Sequence, residues 1–159
     1  MLSGAQVIYA EHIDQINAAL LRLLKKAEAK CALLVDKDGH LVTRQGFTQS
    51  LDTTALSALL AGSFASTREI ARLVGEPEFS VLFHQGKKDH IHISLVGERN
   101  ILAIVFDDRT TIGMVRLYAK DAADRIREIV SATPDEGDAL SSDFVQSADA
   151  RIDDMFTER

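Results

Sequence analysis

The unbroken apolar run Ile101-Leu102-Ala103-Ile104-Val105-Phe106 constrains this chain more than any other stretch. A strand with one wet face alternates apolar and polar side chains. This run does not alternate, so both of its faces must be covered. It is also far shorter than the roughly 20 residues a membrane-crossing helix needs. It therefore predicts the central strand of a sheet with helices packed on both sides.

The rest of the chain supplies those helices and the neighbouring strands. From about Tyr9 to Glu28, the apolar residues Tyr9, Ile13, Ile16, Leu20, Leu23 and Ala27 recur at spacings of four and three, the signature of one helical face. Cys31–Val35 and Leu41–Gly46 flank Asp36-Lys37-Asp38-Gly39, where Gly39 can take the positive φ of a tight turn, and so read as an antiparallel hairpin. A second helix is marked at both ends. Asp52 is its N-cap, Leu51 and Leu56 form a staple, Gly75 is the terminating residue and Pro77 lies just beyond, which predicts a helix over Thr53–Val74. Ser80–His84 and Ile91–Val96 read as strands before Ile101–Phe106; in the middle one Ile91, Ile93 and Leu95 alternate with His92 and Ser94, so one face is less apolar. A third helix starts near Thr110 or Thr111, carries the stripe Ile112, Val115, Ala119, Ala122, Ile126 and Ile129, and ends before Pro134. The order helix, two strands, helix, three strands, helix predicts an α+β fold with an antiparallel sheet.

Charge separates the chain into two parts. Residues 1–133 hold 16 acidic and 16 basic side chains, and residues 134–159 hold 8 acidic and 2 basic. A neutral body without a basic stripe argues against nucleic acid and against an anionic membrane surface as partners. The expected domains are a folded unit over 1–133 and an acidic, serine-rich tail over 134–159, too polar to fold alone. Near the end of the tail, Ile152, Met155 and Phe156 sit at i, i+3 and i+4 and form a short apolar patch. Cys31 is the only cysteine, so the chain cannot build a disulfide or a thiolate metal cage by itself. With no basic-then-apolar N-terminus and no membrane-length apolar segment, a cytoplasmic location is expected.

No phosphate-cradling Gly-x-x-x-x-Gly-Lys-Ser/Thr loop is present, and no serine sits in a Gly-x-Ser-x-Gly setting. The chain is therefore expected to have no active site and no cofactor of its own. His84, His90 and His92, with Asp89, could in principle meet around zinc, but imidazoles lining a sheet face beneath a helix are the simpler reading. Arg68, Arg72 and Arg109 could act in trans on a phosphoryl transition state, against the simpler reading of solvated or carboxylate-paired arginines. The second helix carries more information. Beside an oily side assigned to Leu56, Leu59, Leu60, Phe64 and Leu73, it has small residues at Ala58, Ala61, Gly62 and Ala65, continuing into Glu69 and Arg72. A mid-helix glycine costs about 1 kcal/mol relative to alanine, so Gly62 suggests close approach of another backbone. Such a helix presents a core on one side and a partner on the other.

The element order, with Leu34-Val35-Asp36-Lys37-Asp38-Gly39, Leu51-Asp52-Thr53-Thr54, Ala61-Gly62, Leu73-Val74-Gly75-Glu76, Phe83-His84-Gln85-Gly86 and Val105-Phe106-Asp107-Asp108-Arg109-Thr110, resembles the roadblock family from about Val7 to Ser131. It resembles most the bacterial branch whose members partner a Ras-like polarity GTPase, and Ile152-Asp153-Asp154-Met155-Phe156 is similar to the end of that branch's tail. The resemblance implies strand order 2-1-5-4-3, the second helix on one sheet face and the other two on the opposite face. It also implies a homodimer made by edge pairing of Ser80, Val81, Leu82, Phe83 and His84 and by side-by-side second helices. Further, it implies activation of a Ras-like GTPase of the MglA type, one per dimer, without an arginine finger, by reshaping of the partner's switch regions. The contact surface would be Ala58, Ala61, Gly62, Ala65, Glu69 and Arg72, with a tail contact through Ile152, Met155 and Phe156, while GTP and Mg would belong to the partner. The alternative is a roadblock scaffold that binds proteins without accelerating hydrolysis. Glu69, bulky and charged within a small-residue face, departs from the family's commonest pattern.

Overall fold

The computed structural model describes residue 8 and residues 10–132. The elements run α1 (Ala10–Ala27), β1 (Cys31–Asp36), β2 (Leu41–Gly46), α2 (Thr53–Val74), β3 (Val81–Gln85), β4 (His90–Val96), β5 (Asn100–Phe106) and α3 (Ile112–Ala132). The strands form one antiparallel sheet in the order β2-β1-β5-β4-β3. β5, the strand with no alternation, lies in the middle, and its residues divide between two cores. Leu102, Ile104 and Phe106 join Ala32 and Leu34 beneath α1 and α3, where Ile16, Leu20, Leu23, Val115, Ala119, Ala122 and Ile126 are buried. Ile101 and Ala103 join Leu33, Val35 and Ile93 beneath Leu60 and Phe64 of α2. Each core is apolar enough to hold a helix on its side of the sheet, which is why a continuous apolar run is needed between them.

Local signals end the elements where expected. The Asp52 carboxylate accepts the Ala55 N–H at 3.0 Å, and Gly75 closes α2 at φ 81° with its N–H directed at the last-turn carbonyls. In the β1–β2 turn Asp36 Oδ1 accepts the N–H groups of Asp38 and His40, both at 2.9 Å, while Gly39 takes φ 93°. A Cβ on Gly39 would also come within 3.1 Å of Ala58 Cα, so the glycine lets the hairpin lie against α2. The third strand begins one residue later than expected, at Val81, although the Ser80 carbonyl still accepts the Leu95 N–H at 3.0 Å.

One assignment on α2 is corrected. Leu59 and Leu73, expected on its core side, are 69% and 82% exposed. The buried stripe is Thr53, Ser57, Leu60, Phe64 and Ala71, spaced at helical intervals. Ser57 can occupy a core position because its hydroxyl donates to the Thr53 carbonyl at 2.6 Å, leaving no polar atom unsatisfied.

Candidate partner-binding site

The features of α2 that do not serve the core converge on its outer side. Ala58, Gly62, Ala65, Glu69 and Arg72 are exposed there; Ala61 is half-buried and packs partly against the α2-side core. Nothing lies within 4 Å of where a Cβ on Gly62 would stand, so no backbone of the described chain explains this glycine. Glu69 and Arg72 pair with one another, which offsets the charge that interrupts the small-residue face. Ala61 and Ala65 border a cavity of about 270 Å³ between α2, Lys37 and Asp38 of the β1–β2 turn, and Glu98 and Arg99 of the β4–β5 turn.

A second exposed flank of α2 escaped the sequence reading. Leu59, Ile70, Leu73 and Val74 are solvent-exposed, and Leu59, Ser63 and Ser66 border an open groove of about 560 Å³ whose far side is Leu82 and His84 of β3. The signal that could have revealed it is phase. Leu59, Ile70 and Leu73 fall out of step with Leu60, Phe64 and Ala71, so they cannot share their face. β3 itself is an edge strand, paired to β4 on one side only within the described residues. Of the residues expected at a dimer edge, Ser80, Val81, Phe83 and His84 are exposed and Leu82 is partly buried against the α2-side core.

The histidines divide between the two sheet faces. Cross-strand register pairs His84 with Ile91 on the α2 side and Phe83 with His92 on the opposite side, so the three imidazoles do not converge on one point. His90 ties two loops together: its Nδ1 accepts the Gly86 N–H at 3.2 Å, and its Nε2, which then carries the proton, donates to Asp108 Oδ1 at 3.1 Å. Its ring also packs against both Phe83 and Phe106, with centroids 6.1 and 5.3 Å away. His92 is buried with no hydrogen-bond partner for Nδ1 among the described residues, and burial, together with the charge of Arg116, pushes its imidazole down to about 4. Burial pushes the Cys31 thiol up to about 11, which keeps it protonated and inert.

The arginines fall into different settings. Arg109 donates to Asp107 at 3.0 Å, which holds that carboxyl below its usual range, and Arg72 is held by Glu69. Arg68 borders the smaller cavity. The candidate tail contact at Ile152, Met155 and Phe156 lies outside the described residues.

With this geometry in view, comparison with known proteins is decisive at the family level. The Roadblock/LC7 domain matches residues 15–106. The chain belongs to the Roadblock/LC7 domain family. MglB of Myxococcus xanthus is 45% identical, with 74% of this chain and 96% of that chain covered and a TM-score of 0.72. The gliding protein MglB of Thermus thermophilus is 27% identical, covering 81% of this chain and 98% of its own, with a TM-score of 0.76. An MglB solved in a tetrameric arrangement is likewise 27% identical, with 80% and 96% covered and a TM-score of 0.76. The roadblock match thus runs from within α1 to the end of β5. The likeness to MglB extends over nearly the whole of each MglB chain.

Proposed function

We propose that this roadblock protein is a homodimeric, cytoplasmic regulator that binds a Ras-like GTPase of the MglA type and accelerates its GTP hydrolysis in bacterial polarity or motility. The observation that carries the reading is the 45% identity to Myxococcus xanthus MglB over 96% of that chain. The α2 surface supports it. A small-residue face with an otherwise unexplained glycine suits close packing against another backbone, and the flank carrying Leu59, Ile70 and Leu73 suits a second copy of α2.

In this reading the regulator brings no catalytic group. Arg72 and Arg109 each sit with a carboxylate, while Arg68 borders the smaller cavity beside Ala61 and Ala65, so the reading without an arginine finger rests on the likeness to MglB. Activation comes instead from holding the partner's switch regions so that its own residues complete the site, with GTP and Mg carried by the partner. The self-pairing edge is β3, whose unpaired N–H and C=O groups would otherwise invite aggregation. Single-turnover GTP hydrolysis by the purified partner GTPase, with and without this protein, tests the proposal. A large increase in rate supports it. A stable complex with unchanged turnover would make the protein a scaffold, and no complex at all would sink the partner assignment.

A further inference from the structure

The sheet face opposite α2 leaves part of β3 uncovered. Val81 and Phe83 point to that side, since Phe83 stacks on Phe106 of the α1–α3 core at 6.0 Å, and they remain 41% and 42% exposed. The neighbouring wall is one flank of α3. Arg116 acts on buried His92 of β4, and Arg127 Cγ lies 4.0 Å from where a Cβ on Gly97 would stand, which places both arginines on the flank beside β4. Lys120, four residues after Arg116 and seven before Arg127, lies on the same line of the helix. An apolar floor, Val81 and Phe83, is thus bordered by a wall bearing Arg116 and Lys120, while Arg127, farther along near the β4–β5 turn, is held by Asp124 at 2.9 Å.

We infer that this groove docks the chain's own acidic segment Asp149–Phe156. The complementarity is specific in kind. Ile152, Met155 and Phe156 are spaced at i, i+3 and i+4, so that one helical turn on binding would match them to the floor, and Asp149 and Asp153, four residues apart, would match the basic wall. Connectivity favours this occupant over a foreign acidic peptide. The tail leaves from the end of α3 itself, and the stretch from Ala132 to Ile152 reaches up to roughly 70 Å extended, against about 30 Å for the length of α3. A tethered segment also meets the groove at a high effective concentration. Docking occupies Ile152, Met155 and Phe156 in the free protein, so any partner that uses them must first displace them. The inference concerns the protein alone and stands apart from the GTPase proposal.

A spin label on Thr157→Cys in the full-length chain tests it, because buried Cys31, its thiol pushed up to about 11, stays unlabelled. Docking broadens the amide resonances of Val81, Phe83, Arg116 and Lys120 and leaves those of Ala58 and Ala65, across the sheet, sharp. Arg116→Glu with Lys120→Glu abolishes the broadening, and adding Asp149→Lys with Asp153→Lys restores it. Sharp groove resonances, equal broadening on α2, or a charge-reversed variant that broadens as before would each overturn the inference.

Discussion

Ala65 and His92 show how one side chain can bear on function or on stability almost separately. Ala65 is exposed on α2, and arginine is a good helix former, so Ala65→Arg is expected to fold with a stability change within about 0.5 kcal/mol. In the proposed complex its guanidinium would be desolvated without a partner, and stimulation of the GTPase should be lost. Chromatography with a hydrolysis assay checks this: full stimulation would move the GTPase to another surface, and a folded monomer would put Ala65 in the dimer seam. His92 bears on stability. Its imidazole is held near 4 when folded but titrates near 6.5 when unfolded, so between these values the unfolded chain binds the extra proton. Stability from this group is flat above pH 6.5 and falls as pH drops towards 4, by on the order of 3 kcal/mol in all. His92→Leu should flatten that part of the acid limb in urea titrations run from about pH 7 to about pH 4.5; an unchanged limb would mean that His92 is not buried neutral.

At the scale of elements, α2 is held by its ends and used on three sides. Gly75 stands at φ 81° with nothing near its Cβ direction, so Gly75→Ala adds backbone strain and no clash. A loss of about 1 kcal/mol is expected, read as a lower urea midpoint with unchanged slope. Leu59 belongs to the flank facing the groove against β3. At 69% exposure it contributes little to the folded protomer, so Leu59→Glu should leave circular dichroism unaltered while light scattering shows a monomer. A variant that remains a dimer would place the seam elsewhere. Together these substitutions separate the stability of the helix from its use as a surface.

For the whole molecule, the proposed geometry fixes a stoichiometry. If one GTPase straddles two neighbouring α2 helices, it covers the two-fold axis and excludes a second copy, so the complex should contain two regulators and one GTPase. Sedimentation or light scattering of the complex reads this directly, and a one-to-one ratio would be incompatible with it. Deleting residues 134–159 should leave the fold and the dimer intact, because the sequence of that segment offers no regular apolar stripe to either core. The same deletion should change GTPase binding or nucleotide exchange, since it removes Ile152, Met155 and Phe156; identical kinetics would take the tail out of the mechanism.

The sequence by itself determined the elements and their layering. The missing alternation in Ile101–Phe106 placed β5 at the centre, Asp52 and Gly75 bounded α2, and the alternation of β4 put His92 and Ser94 on its less apolar face. These are consequences of local backbone preference and of burial period, both of which act over a few neighbouring residues. Only the tertiary structure decided how the faces of α2 are used. Leu59 and Leu73 are as apolar as Leu60, and period alone cannot say which of two non-polar stripes meets the sheet when Ser57 can be buried by bonding its own helix. It also decided that His84 and His92 face opposite ways and that a Cβ on Gly62 would meet nothing among the described residues beyond its own helix, because register and cross-strand distance are set by pairings between segments far apart in sequence.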